Sequence, residues 1–216
     1  MMHFTDLTGL AGIALAIVTF TVRVSFFARL QLKLKIGLAV GLLVAVTIPF
    51  GGLSAVEFVR GITGDLSVTT LVLLTLFLFL PRPTSGGRAD MGAETLLYHR
   101  ANPTPYRAPT RGKLLMFLVF AAFALYPFAL GLGAFDPFRL GFGNLWFIAG
   151  LLVVALFAWL RQYTLIALCV SLAVLAWSVG WYESSNLWNY LLDPWVSLYA
   201  LGAMLKRSIG RVSRSR

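Results

Sequence analysis

The side chains that stand out chemically are the acids Glu57, Asp65, Asp136, Glu183 and Asp193, with Arg60 and Arg139 beside them, because each interrupts an otherwise apolar stretch. Brought together at one end of a helix bundle, these groups would form a shallow polar pocket. Such a pocket can hold a cation, a proton or the head of a phosphate-bearing lipid, and two carboxylates a few ångströms apart would supply a general acid and base. Helix capping explains several of the same residues. Asp65 precedes an apolar run, and Asp136-Pro137 and Asp193-Pro194 pair an N-cap acid with a proline at the first helical position. We therefore expect capping to account for most of them. Asp193 is the strongest single candidate, because it falls inside an apolar stretch where a carboxylate is costly unless paired or used.

Other chemistry finds little support. The two histidines, His3 and His99, fall in different polar segments, which argues against a histidine-based metal centre. No GxSxG, GxGxxG, Walker A or HExxH pattern occurs. We expect no catalytic residues, no metal and no cofactor. Cys169, the sole cysteine, reads as a small apolar filler.

The elements that must position these groups follow from composition. Of 216 residues, 59% are apolar and 12% charged, and the mean hydropathy is +0.83. A soluble domain carries about twice that share of charge, so the chain is expected to be an all-α, polytopic membrane protein in a single integral domain, 1–216. Runs long enough to cross a hydrocarbon core of about 30 Å are placed at 7–27, 36–59, 66–80, 114–134, 145–160, 163–182 and 187–205. Thr47 to Gly52 reads as a kink in the second, and Asp193-Pro194 interrupts the seventh, leaving it either a full span or an interfacial piece followed by a broken helix.

The basic residues choose the orientation. With the amino terminus outside, all of the 18 Lys and Arg except Arg60 and Arg139 fall in inner segments. The acids other than Asp90 and Glu94 fall outside, and Trp146, Trp181, Trp188 and Trp195 lie near the same outer level.

The largest inner segment is a basic, proline-rich loop, 82–113, whose second half is expected to be extended, and a further one is the basic tail, 206–216. Arg100, Tyr106, Arg107, Arg111 and Lys113 are the loop residues suited to anionic lipid headgroups or a cytoplasmic partner. Nucleic acid is not expected, because the charge tracks the membrane face rather than a folded basic domain. Three functions remain. The first is a non-catalytic accessory or scaffold subunit of an envelope-biogenesis or transport assembly. The second is a small transporter or channel using Asp193 and the outer acidic rim, and the third an outer-leaflet lipid-modifying enzyme. Short loops and compactness favour a bacterial inner membrane.

Overall fold

A computed structural model describes residues 4–23, 32–79 and 108–212. Among these, regular structure is helical apart from one two-residue antiparallel pair. The order is α1 (Phe4–Arg23), α2 (Leu32–Thr47), β1 (Pro49–Phe50), β2 (Leu53–Ser54), α3 (Ala55–Thr63), α4 (Val68–Phe79) and α5 (Ala108–Ala129). A 3-10 turn (Pro137–Gly141) follows, then α6 (Leu145–Leu160), α7 (Thr164–Ser178), a one-turn α8 (Trp188–Leu191) and α9 (Pro194–Val212). Two helices, over Thr5–Val22 and Thr110–Ala129, are long and apolar enough to cross a membrane; α2, α4, α6 and α7 are apolar but shorter.

Three of the departures from the sequence reading have a clear local reason. The expected kink in 36–59 is a full break. Pro49 pairs with Ser54 and Phe50 with Leu53 around Gly51 and Gly52, whose φ of 66° and 99° belong to the left-handed half of a tight hairpin. The chain restarts as α3 through a capping box: Ser54 Oγ accepts from the Glu57 amide at 3.2 Å, and Glu57 Oε2 accepts from the Ser54 amide at 2.6 Å. Secondly, α5 begins at Ala108, inside the segment expected to be extended, because Pro109 falls in the first turn, where its missing N–H costs nothing. Thirdly, α8 ends at Leu191, Leu192 is extended, and a new helix starts at Pro194. The long final helix is therefore α9 alone. It continues through Lys206, Arg207 and Arg211 to Val212, and its 19 residues reach about 28 Å.

The larger core gathers α4 to α9 around Leu114, Leu118, Leu165, Val170, Tyr190 and Ala200, and a smaller one joins α1, α2 and α3 through Ile13, Val46 and Val56. The α6–α7 hairpin turns at Arg161-Gln162, with Gln162 at φ 59°. Much of the remaining surface is apolar. Only Leu151, Ala155 and Ala158 of α6 are buried, while Leu152, Val153, Leu156, Phe157, Trp159 and Leu160 are exposed.

Candidate functional site

The site lies where α1 and α4 begin and α3 ends. Asp6 comes from the first turn of α1, Arg60 from the last turn of α3, and Asp65 from the link into α4. Arg60 Nε donates to Asp65 Oδ1 at 2.7 Å, its second terminal nitrogen donates to Asp65 Oδ2 at 3.3 Å, and the first donates to Asp6 Oδ1 at 3.0 Å. The fork-to-fork geometry fixes the guanidinium in the plane of Asp65, and these acids hold the Arg60 pKa above its ordinary value. Arg60 and Asp65 sit on Gly9 of α1: a β-carbon there would lie 2.2 Å from Asp65 Oδ1 and 2.7 Å from Arg60 Nε.

Glu57 and Glu183 complete a cleft of about 540 Å³, lined also by Leu10, Gly61 and Gly64. The Ser54 backbone and side chain hold Glu57 below the usual carboxyl range. Glu183 is pushed up, first because it shares a hydrogen bond with Asp6 and then because that carboxylate repels a second charge.

Behind the cleft a chamber of about 340 Å³ is lined by Asp65, Tyr126, Tyr182, Asn189, Asp193 and Pro194; Gly64 and Asp65 line both spaces. Asp193 is 4% exposed. Its Oδ1 accepts from the Val196 amide at 2.8 Å, capping α9. Its Oδ2 accepts from the amide and hydroxyl of Ser67, at 2.9 and 2.7 Å, and from the Thr70 hydroxyl. One carboxylate thus ties the starts of α4 and α9 together, which is what makes its burial tolerable. Tyr190, fully buried, organises the loop before α8: its hydroxyl accepts from the Tyr182 amide at 3.0 Å and lies 3.0 Å from the Ser184 carbonyl. The Tyr182 hydroxyl, on a residue 4% exposed, has no hydrogen-bond partner among the described residues.

The structure therefore brings together Glu57, Arg60, Asp65 and Glu183, with Asp193 one cavity further in. Asp136 and Arg139 stand apart. Asp136 caps the 3-10 turn by accepting from the Phe138 amide at 2.9 Å. That turn packs on the α8 loop, where the Asn186 side-chain amide donates to the Phe138 carbonyl and the Trp188 indole donates to the Pro137 carbonyl, both at 2.9 Å.

Of the basic contact residues, Arg100, Tyr106 and Arg107 lie outside the described residues. Arg111 and Lys113 are on the first turns of α5, at the opposite end from the cleft. Arg111 donates to the Tyr199 hydroxyl, and Lys113 Nζ lies 3.6 Å from the centre of the Tyr163 ring. Arg207 packs beside Gly112. Among the described residues no three His, Cys, Asp or Glu side chains are grouped to hold a metal ion.

No family model matches the chain, and neither does any curated protein or solved structure.

Proposed function

We propose that the chain is an integral membrane protein of about seven spans, amino terminus outside, in a bacterial inner membrane. It acts as a non-catalytic subunit of an envelope-biogenesis or transport assembly, with the acid cleft as its outward ligand-binding face. The observation that carries this reading is the segregation of charge along the bundle. Asp6, Glu57, Asp65 and Glu183 gather at one end, Arg111, Lys113, Arg161 and Arg207 belong to the other, and exposed apolar helices run between. Water would not tolerate an apolar exterior of this extent; acyl chains would. At 16 residues α6 reaches about 24 Å, short of a full hydrocarbon core. Local thinning and interfacial residues such as Trp146, 87% exposed at its start, absorb such a mismatch at modest cost. The basic end would meet anionic headgroups of the inner leaflet.

A holding role is favoured over acid–base turnover because the carboxylates are engaged. Glu57, Asp136 and Asp193 cap helices and Asp65 grips Arg60, which leaves Glu183 with Asp6 as the proton-sharing pair. Transport is the second reading, supported by the chamber's lying against the cleft, with Gly64 and Asp65 in both walls. Below Asp193 the core of Leu114, Leu118 and Leu165 is closed, so a carrier would need a second conformation.

Single cysteines in a Cys169→Ser background test the arrangement. An impermeant maleimide should label Ser185→Cys in intact cells and Ser208→Cys only after the membrane is opened. The reverse pattern, or labelling of both in intact cells, would overturn it. Isolation in mild detergent as a lone monomer would count against a subunit.

A further inference from the structure

The cleft and chamber do not end at Tyr126 and Pro194. Both residues also line an apolar groove of about 450 Å³ between α5 and α9, walled by Phe123, Leu130, Leu198 and Leu201. Phe123, Leu130 and Leu198 are 61, 81 and 62% exposed, so the groove opens sideways, toward acyl chains in the proposed orientation. Cleft and chamber adjoin at Gly64 and Asp65, and chamber and groove at Tyr126 and Pro194, so the three lie in series as a track that is charged at one end, hydrogen-bonding in the middle and oily at the other; each part falls in the volume range of small-molecule sites. Building on the reading of this end as an outward ligand-binding face, we infer that the track binds one amphiphile, a long-chain amine, with its ammonium head in the cleft and its chain in the groove.

Charge selects the head. Among the described residues the cleft sets four carboxyl groups, of which Asp6 and Glu183 share a proton, against the single guanidinium of Arg60, which Asp65 and Asp6 already occupy. Among the described residues a phosphate would meet those carboxyl groups with no free cation in the cleft wall, whereas an ammonium offers donors to Glu57 and Glu183. An independent mark of a ligand is the buried hydroxyl of Tyr182, a residue that lines the chamber, which has no partner among the described residues. Buried hydroxyls nearly always find a partner, and an ammonium seated at the wall that cleft and chamber share would offer this one a donor.

The test uses the full chain in nanodiscs of zwitterionic lipid, titrated with hexadecylamine, hexadecyl phosphate and butylamine, with thermal stabilisation as the readout. Hexadecylamine should bind saturably and at least about tenfold more tightly than either of the others. Glu57→Gln with Glu183→Gln should weaken it by about the same factor. Leu198→Trp and Ala122→Leu, which narrow the groove from opposite walls, should weaken it without lowering the unliganded melting temperature. If hexadecyl phosphate binds as well as the amine, the assignment of the head fails. If butylamine matches hexadecylamine and neither groove variant matters, the amphiphile fails while the cleft stands as a cation site. If no amine binds, both the amphiphile and the ligand-binding reading of the cleft fall.

Discussion

Gly9 and Asp65 are packed so closely that a β-carbon on the glycine would lie 2.2 Å from the carboxylate oxygen. The Arg60–Asp65 pair therefore rests on bare α1 backbone. Gly9→Ala should displace the pair and cost about 1–3 kcal/mol, as overpacking does. A thermal melt in detergent checks this. An unchanged melting temperature would mean that the ion pair is not seated on α1.

Asp193 is expected to act as a structural fastener. Asp193→Ala leaves the amides of Ser67 and Val196 and the hydroxyls of Ser67 and Thr70 without their acceptor. Each buried orphan costs about 1–3 kcal/mol, so this variant should be recovered poorly or unfold at a markedly lower temperature. Ser67→Ala, which keeps the amide bond, should be milder. Equal stability of the two would show that the carboxylate does not bridge α4 and α9.

Protonation at the cleft should make stability depend on pH. The folded pKa of Glu183 is raised, so its contribution is complete below the ordinary carboxyl range and is lost as pH rises through the raised value. Glu57 acts oppositely: its folded pKa is lowered, and its contribution is present above the ordinary range and lost as pH falls through the lowered value. Glu183→Gln should flatten the loss on the neutral side and leave the acid limb intact. Melting temperatures between about pH 3 and pH 7 read both limbs, and an unaltered upper limb would detach Glu183 from Asp6.

The seam between the 3-10 turn and the α8 loop offers a separate check away from the cleft. A β-carbon on Gly141 would fall 1.8 Å from Asn186 Oδ1, on a side chain that is 1% exposed and bonded to both the Phe138 carbonyl and the Trp188 amide. Gly141→Ala and Asn186→Ala should each destabilise by about 1–3 kcal/mol. As both break the same contact, the double variant should cost less than the sum. Strict additivity would refute the shared contact.

The helical class was legible in the sequence because long apolar runs bounded by prolines and charges leave little else to form. The turn at Arg161-Gln162 followed from the same punctuation, whereas a shared pocket of Glu57, Arg60, Asp65 and Glu183 was only the alternative to helix capping, and that alternative also included Asp136 and Arg139, which stand apart. The exact ends did not. A proline read as a kink at Pro49 became a hairpin once two glycines with positive φ followed it, and a proline read as extended chain at Pro109 was absorbed by the first turn of α5. Asp193 was visible as an anomaly, but Ser67 and Thr70, which explain it, look like any polar residues before an apolar helix. Asp6 stood out only as one more outer acid. Nothing in the sequence marks Gly9, because its role comes from a neighbour more than fifty positions away, and no local pattern encodes which helix lands beside which.

The bond from Ser67 to Asp193 joins residues separated by 126 positions, and this separation imposes an order on biosynthesis. By the time a ribosome has translated Asp193, α4 has long left the exit tunnel with its amino-terminal amide and hydroxyls still seeking an acceptor. The last helix is therefore the one that locks the earlier ones, and a nascent chain stalled before it would present that exposed polar edge to cellular proteases as the signature of unfinished assembly.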